Sequence, residues 1–202
     1  MTILGHKLYR FAEPVKRHTI KNHWIRDVKH CASPHYDERP DKQDISLLVI
    51  HCISLPEGCY GTPYIEKLFT QGLSQQEGDY FAPLTGLRVS SHLLIRRDGT
   101  IEQYVPFDKR AWHAGVSSYD GRERCNDFSI GIELEGTDHS PYSKRQYQSL
   151  VDVSQTILDY YPKLTLDRIT GHQHIAPGRK TDPGRCFDWS YYLNALSRKD
   201  SL

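Results

Sequence analysis

A single domain of mixed α/β structure is what this sequence predicts, and three stretches carry the prediction. Ile45–Ile53 is a nearly continuous apolar run whose length and β-branched content suit a buried strand. Asp98-Gly99 stands between two apolar segments, Arg88–Arg96 and Ile101–Val105, as a strong hairpin signal. Ser143–Tyr160 has apolar residues at helical spacing behind a Ser-x-x-Gln capping box, so one face of a helix packs on the sheet. With 202 residues the chain can bury a sizeable core, and no repeat or low-complexity linker divides it.

The elements follow in order. Residues 1–44 are polar, basic at first and rich in His, Pro and Asp, so irregular wrapping structure is expected there, with a short helix near Asn22–Val28. Ser33–Asp41 reads as loop. His51 lies near the C-terminal end of the first strand, where α/β sheets tend to deliver functional groups. Inside so apolar a run it is either a core histidine satisfied by a partner or a metal ligand, because burying an unpaired polar group is costly. After the turn Leu55–Gly61, Thr62-Pro63 reads as an N-cap followed by proline at the first position of a short helix through Phe69. Residues 71–86 are a polar loop whose large side chains are Tyr80 and Phe81. His92 rides on the first hairpin strand, and the second strand leads into a long loop bearing Trp112 and His113.

Phe128–Leu134 is a further strand. Alternation puts Ile130, Ile132 and Leu134 on one face and Ser129, Gly131, Glu133 and Glu135 on the other. Glu133 is therefore either a solvent-facing charge or a group aimed into a cleft. Arg168–Thr170 forms a short strand that feeds the stretch Gly171–Gly184, and Asp188 caps a terminal helix through Leu196.

Bulk properties exclude several classes of function. The net charge of +1 provides no field to draw the chain to nucleic acid or to an anionic membrane. No apolar run approaches the roughly 20 residues that span a bilayer, and the amino terminus lacks the apolar core of a signal peptide. Five cysteines, an odd count without CxxC spacing, favour reduced thiols in a cytoplasmic protein over a disulfide framework.

The chemistry concentrates in GHQHIAPGRKTDPG, Gly171–Gly184, where prolines and glycines argue for an ordered loop. His172 offers a neutral imidazole, Asp182 a carboxylate, and Lys180 a cation two residues earlier. Such residues also serve as plain turn formers. A catalytic zinc takes about three N or O ligands and keeps one position open, and His51 is the third ligand the sequence offers. Hydrolysis then needs a proton carrier and a cation for the oxyanion, types that Glu133 and Lys180 supply. GxSxG and HExxH are both absent, which argues against a serine hydrolase of that type and against a zincin.

The segments IHCISLP, RVSSHLLIRRDG, YVPFDKRAWHAGVS, GRERCNDFSIGIELEGTD and GHQHIAPGRKTDPG, with FDW after, closely resemble the AmpD-type anhydro-N-acetylmuramoyl-L-alanine amidases. These share a superfamily with phage lysozyme-type amidases and peptidoglycan recognition proteins. The resemblance runs from about Ser33 to the C-terminal helix, so residues 1–32 are set apart as an N-terminal extension and 33–202 as a zinc amidase domain. It implies a central mixed β-sheet flanked by helices, with zinc in a groove over one edge. His51, His172 and Asp182 match the family's zinc ligands, Glu133 its catalytic glutamate and Lys180 its lysine.

The implied reaction is zinc-dependent hydrolysis of the amide between the lactyl group of anhydromuramic acid and L-alanine. The implied substrate is an anhydromuropeptide and the setting cytoplasmic wall recycling, with no nucleic acid or membrane partner and no organic cofactor. Arg88, Trp112 and Arg124 occur in matching motifs and are expected to meet stem carboxylates and the sugar face. His113 is expected behind the ligands or on the groove wall, and His92 as a hydrogen-bonded structural histidine. His174 stands where relatives often have Asp and is not counted as a ligand; Tyr80 matches a position where relatives have Tyr or Phe. Two other readings compete: a lytic amidase of intact wall, and a peptidoglycan-binding module without catalysis. The presence of all five chemical residues weighs against the second.

Overall fold

The computed structural model describes residues 16–197. A six-stranded mixed sheet is built from β1 (Lys29–His30), β2 (Leu47–Ile53), β3 (Leu93–Ile95), β4 (Ile101–Gln103), β5 (Ser129–Glu135) and β6 (Ile169–Gly171), in the order β6-β2-β5-β3-β4-β1. β5 runs parallel to β2 and β3, and β6 parallel to β2, while β3 and β4 form the antiparallel hairpin turned at Asp98-Gly99. Helices cover both faces, which is why β2 and β5 read as buried from end to end or nearly so.

Alternation decides what each face holds. Leu48 and Ile50 of β2, with Ile130, Ile132 and Leu134 of β5, enter the main core beneath α2 (Lys144–Tyr160) and the terminal helix Trp189–Ser197. Ser143 caps α2 as its spacing requires: its Oγ accepts from the Gln146 N–H at 3.1 Å, and Gln146 Oε1 accepts the Ser143 N–H at 3.0 Å. The opposite faces of β2 and β5 present Leu47, Val49 and His51 beside Ser129, Gly131 and Glu133, and the functional groups gather there. α1 (Tyr64–Thr70) packs on that same side of the sheet farther along, against Leu94 and Tyr104.

Four local expectations are corrected. No helix forms near Asn22–Val28: Asn22 and His23 both take positive φ, 51° and 65°, and close a two-residue hairpin between Ile20–Lys21 and Trp24–Ile25. Residues 20–31 are also woven into the body, since Ile25 is fully buried in the main core and β1 pairs with β4. Thr62 does not cap α1; its hydroxyl donates to the Leu55 carbonyl at 2.5 Å, and Pro63 takes the cap position without a side-chain bond. The strand expected over Arg88–Arg96 is regular only over Leu93–Ile95; His92 still bonds Gly131 and Tyr104 through its backbone, but the Gly131 N–H goes to the His92 side chain at 3.0 Å. The loop Gly171–Gly184 opens with one helical turn, α3 (His172–Ile175). All five cysteines are free thiols.

Candidate functional site

His51 and Glu133 are partners in the parallel register of β2 and β5, and directly paired residues point to the same face. β6 lies along the other side of β2, with Gly171 opposite Ile50, and so delivers His172 beside His51. The Gln173 N–H donates to the Asp182 carbonyl at 2.9 Å, which folds the loop back and returns Asp182 to His172. Three donor atoms meet as a result. His51 Nδ1 lies 3.0 Å from His172 Nδ1, and Asp182 Oδ2 lies 3.1 Å from each.

Two imidazole nitrogens and a carboxylate oxygen facing one another this closely require a proton or a cation among them. The outer hydrogen bond of His172 orients the ring: its Nε2–H donates to the Ala114 carbonyl at 3.1 Å, so Nδ1 is the nitrogen a metal ion would meet. Burial pushes His51 down to about 4, although the Asp182 carboxylate pulls the other way, so it is a neutral imidazole near neutral pH. Burial opposes ionisation of Asp182, but the His172 and His51 rings against it win, and its carboxyl is held far below the usual range. Two imidazoles and a carboxylate are the donor set of a catalytic zinc site. Bonds of about 2.0–2.2 Å to one ion would space such donors about 3.3 Å apart, a few tenths of an ångström from the spacing present. The residues fit the ion.

A cleft of about 410 Å³ opens beside these donors, lined among others by Cys52, Tyr80, Asp138, Lys180 and Asp182. Glu133 is buried, and its Oε2 has no hydrogen-bond partner among the described residues. Burial and the Asp182 carboxylate hold Glu133 well above the usual carboxylate range, while Lys180 acts in the opposite sense. An orphaned carboxylate oxygen on the face of the sheet that carries His51 is a candidate proton carrier.

Known proteins resemble this chain over most of its length. Residues 41–185 match the family model described as N-acetylmuramoyl-L-alanine amidase. The chain is 57% identical over 178 residues to the 1,6-anhydro-N-acetylmuramyl-L-alanine amidase AmpD of Enterobacter cloacae, covering 88% of this chain and 95% of that one. The chain belongs to the N-acetylmuramoyl-L-alanine amidase family. Its fold superposes on a crystal structure of a selenomethionine AmpD derivative with a TM-score of 0.85, at 55% identity over 88% of this chain and 99% of that one. It also matches the amidase AmiD of Escherichia coli, solved with its substrate anhydro-N-acetylmuramic acid-L-Ala-D-γ-Glu-L-Lys, with a TM-score of 0.56 and 31% identity. That match covers 75% of this chain and 57% of AmiD.

Within this amidase fold the structure brings His51, His172, Asp182, Glu133 and Lys180 together and spreads the three residues expected to touch substrate. Arg88 is exposed in a cavity of about 610 Å³ that it shares with His35 and Leu87. Trp112 stacks on His35 at 6.3 Å, and its indole N–H donates to Asp37 at 3.2 Å. Arg124 is exposed on the rim of a third cavity, paired with Asp127 at 3.3 Å. Arg179 joins that cavity to the cleft. His92 is structural: its Nδ1 accepts the Gly131 N–H and its Nε2–H donates to the Lys109 carbonyl, both at 3.0 Å. His174 tilts against Trp189 instead of joining the donors.

Several supporting residues escaped the sequence reading. Asn126 accepts the backbone N–H of His113 and Ala114 on its Oδ1 and so fixes the loop that holds His172. Tyr142 donates to the Pro183 carbonyl at 2.7 Å, next to Asp182. Gly131 carried the one available signal, since a glycine inside a strand marks a close approach. A Cβ there would meet the His113 ring at 2.6 Å.

Proposed function

We propose that this chain is a zinc-dependent amidase that hydrolyses the bond between the lactyl group of 1,6-anhydro-N-acetylmuramic acid and the L-alanine of a stem peptide, in cytoplasmic recycling of wall fragments. The observation that carries this reading is the meeting of the His51, His172 and Asp182 donors at 3.0–3.1 Å, with Glu133 and Lys180 both acting on the same ground. The likeness to AmpD, and to AmiD with its anhydromuramyl peptide, supports the substrate class. Among the described residues no helix is long and apolar enough to cross a membrane.

His51, His172 and Asp182 hold the ion in this reading. When bound, zinc supplies Lewis acidity to the amide carbonyl and brings the deprotonation of water close to neutral pH. The protein's own groups do the rest. Glu133 takes a proton from the attacking water and returns it to the alanine nitrogen as the C–N bond breaks. A carboxyl held above its ordinary range is suited to both halves of that task. The Lys180 ammonium donates to the carbonyl oxygen as negative charge builds on it. Arg88, Trp112 and Arg124 lie outside the lining of the cleft, and no step of this reaction is assigned to them. The products are the anhydro-sugar with a free lactyl carboxylate and the released peptide.

Incubation with purified anhydromuropeptide, with and without chelator, followed by mass analysis tests this. Cleavage with gain of one water, abolished by chelator and restored by zinc, is expected. Intact substrate in the untreated sample, or cleavage that ignores the chelator, would end the reading. Faster release from intact sacculi than from anhydromuropeptide would instead favour the lytic alternative.

A further inference from the structure

His172 and His51 present the same Nδ1 atom to the donor cluster, but their outer nitrogens are held by different chemistry. The Ala114 carbonyl beside His172 can only accept, so it dictates the tautomer of that ring. The outer partner of His51 is a third imidazole: His51 Nε2 lies 2.9 Å from His113 Nδ1, with the rings edge to face at 85°. A neutral imidazole nitrogen either donates or accepts, so this contact alone leaves the tautomer of His51 open. The far side of His113 then matters. Its Nε2 lies 3.2 Å from Ser129 Oγ on β5.

We propose that His113, backed by Ser129, is the positioning residue that sets the tautomer of His51 and thereby prepares the zinc site. The inference rests on the zinc reading above. The zinc reading fixes the order of this chain: His51 Nδ1 must be a lone pair facing Asp182 and His172, so His51 Nε2–H donates to His113 Nδ1, and His113 Nε2–H donates to Ser129 Oγ, a hydroxyl free to accept it. The opposite order puts a proton on His51 Nδ1, where it points at Asp182 Oδ2 and fills the place of the ion.

The strand makes room for this arrangement. A Cβ on Gly131 would come within 2.6 Å of His113 Cγ and 2.7 Å of Nδ1, so the ring can lie over β5 only because position 131 is glycine. The backbone of His113 is fixed independently by Asn126, which takes its N–H at 3.2 Å. Placement of this ring is therefore built in, and Ser129 supplies a hydroxyl that can take the proton order the zinc site needs. An imidazole in this role also adds no negative charge behind the ligand, unlike the carboxylate that often orients a zinc-bound histidine.

Zinc titration of the apoprotein against a competing chelator, read as affinity and independent of turnover, tests the proposal. His113→Leu removes the acceptor and should weaken zinc binding by about 10–100-fold, the usual effect of losing an outer hydrogen-bond partner. His113→Asn places an amide oxygen where Nδ1 stood and should recover most of the loss. Gly131→Ala keeps the imidazole but displaces it, should weaken zinc binding likewise, and carries the test if His113→Leu does not fold. Wild-type affinity in both His113→Leu and Gly131→Ala, or an Asn variant as weak as the Leu variant, would overturn the positioning role while leaving the zinc reading intact. Wild-type protein that takes up no zinc would remove both.

Discussion

Glu133 and Lys180 separate the two demands on the cleft at the level of single side chains. Glu133 is buried, its Oε2 lacks a partner among the described residues, and its carboxyl is held well above the usual range. Such a group does little to stabilise the fold, so Glu133→Gln should unfold at or above the wild-type temperature and still bind zinc. Its kcat should fall by about 10²–10⁴-fold, the span that proton transfer by a placed side chain contributes. Lys180 is exposed, and Lys180→Met should also keep fold and metal while losing about 10²–10³-fold in kcat, the effect of removing one oxyanion donor. Steady-state kinetics beside calorimetric melting checks both, and a near-normal rate in either variant removes that residue from the chemistry. These candidates stood out in the sequence because their types announce chemistry: a histidine in an apolar run, and a lysine two residues before an aspartate. Asn126, Tyr142 and Arg39 were not, because each acts by aiming at a backbone carbonyl or amide whose location only the folded chain reveals. Arg39 is the extreme case, buried and donating to the carbonyls of Phe107, Asn126, Asp127 and Ser129.

Among the elements, β3, β4 and β5 are tied at their ends by a charged cluster. Arg96 donates to Glu102 at 3.0 Å and to Glu135 at 3.2 Å, and these carboxylate side chains are only 6% and 1% exposed. Glu135 also accepts the N–H groups of Gly61 and Arg97 and so holds the end of the cleft loop to the sheet. Arg96→Met would strand two buried carboxylates and should cost about 3 kcal/mol in denaturant unfolding, the low end for a broken buried pair because Lys29 still faces Glu102. Burial alone would raise the Glu102 carboxyl, but the Tyr104 hydroxyl and Arg96 outweigh it and hold it below its ordinary range. A depressed carboxyl stabilises the fold above its unfolded pKa, about 4.3, and that contribution is lost as pH falls through the lower folded value. The acid limb of a stability-versus-pH curve should therefore be shallower in Glu102→Gln than in wild type; an unchanged limb would contradict the assignment. Alternation in β5 was readable in advance, with Ile130, Ile132 and Leu134 turned to the core. Whether its polar face met solvent or a cleft was not, because that depends on a loop, 112–117, that arrives from elsewhere in the chain. The hairpin at Asn22-His23 was missed for a local reason: an Asn in the left-handed region closes a turn that a short polar stretch also permits as helix.

For the whole molecule, parallel pairing of β2 with both β5 and β6 is what gathers a site from distant parts of the chain. Those parallel neighbours belong to separate crossovers, so no local pattern could place His51, Glu133 and His172 side by side. A second group of metal-type side chains, Cys31, Glu66 and Glu102, is also brought together, but the Lys29 ammonium already sits among its carboxylates at 2.7 and 3.2 Å. Among the described residues the ion is therefore expected at His51, His172 and Asp182. Anomalous diffraction at the zinc absorption edge, on crystals of protein purified without chelator, tests that most directly. One strong peak bonded to His51 Nδ1, His172 Nδ1 and Asp182 Oδ2 is expected; no peak there, or a peak at Cys31 and Glu102 instead, would contradict the account.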